Sequence, residues 1–239
     1  MEELRKIFTK LNLILIGGPA LRFADPEVFR VLLEATVGID KSSRMVDYDN
    51  DGMLTEEELA AVTTLSHRRD DVYSMFVEGY NLGNELIETF NEFQYFTGLE
   101  FINSSSFEGC SSLKEITLPV LTKMGNGVFA GSGIEKLIIP EGYQNIGPLV
   151  LQRCYNLRLV DFPSTVTSIS EGGSLFWAMK NQVTVICRAF TPPTFGTWGY
   201  DGDPKVIYVP DVSVDAYKLA AGWSLQATKI YPLSTYMEL

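Results

Sequence analysis

The sequence predicts an α+β fold: a short β-solenoid between a helical N-terminal module and a C-terminal strand-helix cap. Three observations predict it. First, a unit recurs, since Phe107, Phe129 and Leu151 are spaced by 22 residues each time. Second, each unit carries a strand with an L-x-x-L-x-L core closed by proline, at Pro119, Pro140 and Pro163. A period of about 20–29 residues with that core is the pattern of a leucine-rich repeat. Third, helix signals are confined to the flanks. A lone repeat cannot bury its apolar face, so stacked rungs supply the core.

The chain divides into four expected regions, residues 1–24, 25–98, 99–190 and 191–239. In the first, Leu4, Ile7, Leu11 and Ile14 fall at a/d spacing. Two heptads fall short of a coiled coil. The segment packs on its own domain or serves as an oligomerisation or anchoring element. Its Glu2, Glu3 and Lys10 argue against a clear signal peptide.

In the second region, Asp25 caps a helix with Pro26 at its first position, and Gly38 ends it. A second helix is expected over 55–65 and a short one near 90–96. Residues 66–86 read as a strand-like piece and a loop. In the repeats, the strands LKEITLP, IEKLIIP, LRLVDFP and the degenerate VTVICR point Leu113, Ile116, Leu118, Ile134, Leu137, Ile139, Leu157, Val160 and Phe162 inward. Met124, Ile146 and Ile169 line the returning wall. The cap holds a final strand, VIYVP, and a helix over SVDAYKLAAGW with Ser213 as its cap and Gly222 as its stop.

The net charge of -11 argues against nucleic acid, which needs a basic face. Six of the acids lie within twelve residues, from Asp47 to Glu58, with no base among them. Asp47, Asp49, Asp51, Gly52 and Glu58 match the D-x-[DN]-x-[DN]-G-x5-E pattern of an EF-hand calcium loop. Calcium takes about six to eight oxygens. Asp47, Asp49, Asp51 and Glu58 offer carboxylates, Met53 its carbonyl, and Thr55 its hydroxyl or a bridging water. Thr55-x-x-Glu58 is also a capping box. A standard EF-hand enters its loop straight from a helix, and here the helix is expected to end about eight residues earlier. The expected role is structural, with Ca²⁺ as the cofactor.

Cys110 and Cys154 occupy one slot two rungs apart, about 10 Å at strand spacing, too far for a disulfide. The lone His67 builds no zinc site. No segment is long enough to span a membrane. No motif marks catalysis, so no enzyme is expected. A carbohydrate-active enzyme is a remote alternative, with Trp198, Tyr200 and Trp223 as residues that could line a sugar site. Between the inward positions, Glu115, Thr117, Lys136, Ile138, Leu159 and Asp161 face outward and form the expected contact face.

Phe107–Pro119, F-x-G-C-S-S-L-x-x-I-x-L-P, resembles the BspA-like leucine-rich repeat proteins. FADPEVFRVLLE, DYDNDGMLTEEELAAVTTL and FNEFQYFTGLEFI resemble the module that often precedes these repeats. RAFTPPTFG and IYVPDVSVDAYKLAAGW resemble their ending. The likeness runs from about Phe23 to Pro232. It implies a non-catalytic adhesion module, extracellular or at a cell surface, recognising a protein or glycan. Similar modules in the tail fibres of phages imply an alternative, a virion subunit whose partners are other virion proteins.

Overall fold

The computed structural model describes residues 20–39, 42–65, 76–77, 83–179 and 183–237. Residues 1–19 of the expected anchoring segment and most of 66–86 therefore fall outside the described residues.

Asp25 accepts from the Glu27 N–H at 2.9 Å and starts helix α1, Pro26–Glu34, as its spacing predicts. The helix stops before Gly38, which lies in strand β1, Thr36–Ile39. Thr36, Val37 and Ile39 are β-branched and favour the pleated chain over another helical turn. β1 pairs antiparallel with β2, Ser42–Met45, and the acidic loop follows that hairpin. The second helix is shorter than expected. α2 covers Glu56–Ala61, and β3, Val62–Thr64, returns to β1. Another β-branched run, Val62-Thr63-Thr64, explains the early stop.

β4, Thr89–Phe90, opens the parallel stacking and leads into a 3-10 turn over Asn91–Tyr95. β4 pairs in parallel with β5, Glu115–Ile116. β6, Lys123–Met124, belongs to the second wall. β7, Lys136–Ile138, and β8, Asn145–Ile146, repeat that alternation. β9 is Leu159–Phe162, β10 Ser168–Ser174, β11 Thr184–Cys187 and β12 Thr194–Thr197. β13, Val206–Val209, and β14, Ile230–Pro232, continue the first wall through the C-terminal region. The result is two parallel sheets, β6-β8-β10-β12 and β7-β9-β11-β13-β14.

The repeat period thus becomes hydrogen-bond register. Lys136 sits opposite Leu159, and Leu159 opposite Thr184. The nine predicted inward side chains are all buried, as are Met124, Ile146 and Ile169. Phenylalanines continue the core towards the N-terminal module. Phe76 stacks on Phe107 at 5.3 Å between centroids, and Phe107 on Phe129 at 5.5 Å and 7° between planes. Phe90, Phe93 and Phe96 pack around them. Cys110, Cys154 and Cys187 are free and buried, and burial pushes the first two thiols up to about 12. They pack as small apolar groups.

In the cap, Ser213 does not close helix α3, Val214–Leu219; its hydroxyl donates to the Phe190 carbonyl at 2.6 Å instead. Gly222, with φ of +79°, turns the chain three residues after the helix ends. Trp223 and Tyr217 are buried beneath, donating to the carbonyls of Pro193 and Ala189 at 3.0 and 2.8 Å.

Asp25 also joins the module to the stack. Its second oxygen accepts from the N–H groups of Glu88 and Thr89 at 2.6 and 3.1 Å. Asp25→Ala removes a helix cap and leaves two part-buried donors unpaired. The expected loss is roughly 2–4 kcal/mol in urea denaturation, with Asp25→Asn milder.

Candidate functional site

The acidic loop is built by local hydrogen bonding. Asp47 accepts from the N–H groups of Asp51 and Gly52 at 3.2 and 3.0 Å. Asp51 accepts from Met53 N–H at 2.8 Å. Asn50 and Gly52 take φ of 55° and 77°, which folds the loop back on itself. Leu54 is buried, and its carbonyl accepts from Leu21 N–H at 2.8 Å.

This folding brings together Asp47, Asp49 and Glu58, with one carboxylate oxygen from each lying within 4.8 Å of the others. Asp51 is outside that trio, and one of its oxygens accepts from Met53 N–H. The capping box forms. Thr55 accepts from Glu58 N–H at 3.2 Å, and Glu58 accepts from Thr55 N–H at 2.9 Å and from its hydroxyl at 3.0 Å. The Thr55 hydroxyl is thus already engaged within the loop.

Capping leaves oxygen unused. Oε1 of Glu58 and Oδ2 of Asp51 are buried with no hydrogen-bond partner. Glu58 is 2% exposed, and burial, with Asp49 and Asp47 nearby, pushes its carboxyl up to about 7. Asp49 is raised too, by burial and the charge of Asp51. Clustered carboxylates with orphaned buried oxygens and no basic partner in the loop are the donor chemistry of a hard divalent cation. The lead-in is a β-hairpin where a standard EF-hand has a helix, and the loop leads into α2.

The second set of expected residues lies on the outer face of the first wall. Glu115, Thr117, Lys136 and Ile138 line a groove of about 760 Å³ together with Lys114, Glu135 and Pro140. Lys136, Ile138, Leu159 and Asp161 line an adjoining one of about 360 Å³ with Arg188 and Tyr236. Ile138 is half exposed. Asp161 differs from the expectation: it is 6% exposed and held by Arg188 through two hydrogen bonds of 2.8 and 2.7 Å. Arg188 stands at the end of the fourth strand, a rung further on, so the spacing within one repeat gives no sign of it. Tyr236, which packs on Tyr208 at 5.1 Å, was likewise not foreseen.

Residues 86–186 match the BspA type leucine rich repeat region, in six copies. This stretch belongs to the BspA-type leucine-rich repeat family. No curated protein matches the chain. The match starts at residue 86, and the pairing of β4 with β5 brings Thr89 and Phe90 into the stack. Among the described residues no helix is long and apolar enough to cross a membrane. Of the aromatics that could line a sugar site in the cap, Trp198 and Trp223 are buried, and Tyr200 is exposed.

Glu58 gives the chain a pH signature. Its folded pKa lies above the unfolded value of 4.5, at about 7. Its contribution is therefore fully present below about pH 4.5 and lost as pH rises through about 7. Without metal, the melting temperature contributed by this residue falls between pH 5 and pH 8. Glu58→Gln flattens that fall, measured by circular dichroism in chelator.

Proposed function

We propose that this chain is a non-catalytic, calcium-stabilised binding module that recognises a protein or glycan at a cell surface. Placement of Lys136 and Ile138 in both adjoining grooves carries the reading, since it makes one continuous contact surface of the outer sheet face. The expected face is narrowed to Glu115, Thr117, Lys136, Ile138 and Leu159. Asp161 supports it from below by fixing Arg188. The family supports a surface role, and the successive parallel rungs support a solenoid that presents this face.

Calcium is assigned to Asp47, Asp49 and Glu58, with Asp51 and the Met53 carbonyl completing the sphere and Thr55 acting through water. The ion would supply positive charge to oxygens that are otherwise buried unpaired. It would stabilise the fold by mass action, because the unfolded chain lacks the site.

Added calcium raises the melting temperature, more at pH 8 than at pH 5, where Glu58 holds its proton. Asp47→Asn combined with Glu58→Gln abolishes the response. A melting temperature indifferent to calcium and chelator at pH 8 sinks the assignment.

For the contact face, protein-coated beads are scored for adhesion to bacterial and host cells. Lys136→Glu with Ile138→Asp lowers adhesion by about tenfold or more at unchanged melting temperature. Undiminished adhesion sets the face aside.

A further inference from the structure

A second surface stands apart from both sites, at the turns that precede the strands of the first wall. The inter-rung hydrogen bonds fix its alignment. Gly109 N–H donates to Ala130, Gly131 to Gln152, Arg153 to Trp177 and Ala178 to Tyr200, at 2.8, 2.7, 3.1 and 3.0 Å. Glu108, Ala130, Gln152, Trp177 and Tyr200 therefore form one column, and Gly109, Gly131, Arg153, Ala178 and Asp201 the next.

The first column changes character along the stack. Glu108 and Ala130 are buried, and Gln152 is partly exposed. Trp177 is 44% exposed and Tyr200 69%. Their rings lie 6.4 Å apart and tilted by 43°, so they touch as neighbours and leave faces open to solvent. The same rungs bury Phe176 and Trp198 in the core, which accordingly does not need the outer pair. The turn has no need of an aromatic either, since Ala130 and Gln152 serve it in earlier rungs. Isolated exposed rings are ordinary, and two neighbours on one column make a continuous aromatic surface.

The second column points the same way. Gly109 and Gly131 take φ of 74° and 69°, the left-handed region that suits glycine. Arg153, Ala178 and Asp201 hold that conformation at 55°, 55° and 53° without being glycine. Left-handed backbone in a residue such as alanine is costly and gathers at binding sites. Ala178 and Asp201 directly follow the exposed rings, while Ser105, Leu149 and Ser170 take the same conformation elsewhere, so the aromatic pair carries the argument.

We propose that Trp177 and Tyr200 form a stacking strip for a neutral oligosaccharide, with Gln152 and Asp201 at its ends. A pyranose ring has a flat face of C–H groups and a rim of hydroxyls. The C–H face lies on the negative face of an aromatic ring. The rim hydroxyls meet the Gln152 amide and the Asp201 carboxylate. Two rings on successive rungs offer a seat for two successive sugars. The net charge of -11 and the exposed carboxylate of Asp201 disfavour sulfated or sialylated chains. The strip is independent of the sheet-face grooves, sharing no residue with them.

Saturation-transfer NMR on the intact chain tests the strip. The probes are neutral tetrasaccharides of glucose and N-acetylglucosamine, in α and β linkage, each at millimolar concentration. At least one binds, with its ring C–H protons saturated most. Trp177→Ala weakens it by about tenfold or more at unchanged melting temperature. Tyr200→Phe keeps binding and Tyr200→Ala loses it, each at unchanged melting temperature, which separates a stacking face from a packing role. Absence of binding by every tetrasaccharide overturns the proposal, as does binding that survives Trp177→Ala. So does binding of a proline-rich peptide control alone, which would make the strip a peptide site.

Discussion

The backbone ladder between rungs is the interaction on which everything else here rests. Each rung contributes a strand of only a few residues, too short to hold its shape unaided. The neighbour supplies what is missing. Lys114 N–H donates to Glu88, Glu135 to Lys114, Arg158 to Glu135, Thr184 to Arg158 and Lys205 to Val183, all at 2.8 to 3.2 Å. On the opposite wall Gly125 donates to Ile102 and Gly147 to Met124. Buried polar backbone is satisfied rung by rung, and side chains one period apart are forced into columns. The core phenylalanines, the grooved outer face and the aromatic strip are such columns.

The N-terminal module answers a different constraint, the unpaired first face of the stack. Asp25 binds β4, Ala24 N–H reaches Glu92 at 2.9 Å, and Glu27 accepts from Asn84 at 2.7 Å. The phenylalanine cluster fills the space between. The acidic loop is wedged into this region through Leu54 and α2. Its buried carboxylate oxygens are therefore held close by the fold around them, and dispersal is not available to relieve their repulsion.

Much of this was legible in the repeat itself. Period and alternation name the inward residues, because burial on a stacked strand depends on sequence position alone. The cap of α1 was legible because Asp-Pro constrains the chain locally. Other features depend on partners the pattern does not show. The β1–β2 hairpin is hidden because Gly38 looks like a helix stop. Asp161 was expected to be a contact residue, and Arg188 covers it from the next rung. Glu58 satisfies two patterns at once, and only the geometry shows that one oxygen serves the capping box while the other is left over. Trp177 and Tyr200 look unrelated along the chain until the ladder sets them side by side.

The ladder has one further consequence. Because each strand pairs with one roughly a single period downstream, the chain need not be complete before it begins to order. A rung can dock as soon as it leaves the ribosome, and long loops need not close first. The exposed edge is then always the newest one, and an unpaired strand edge is adhesive. Truncated or stalled products would accordingly aggregate through that edge.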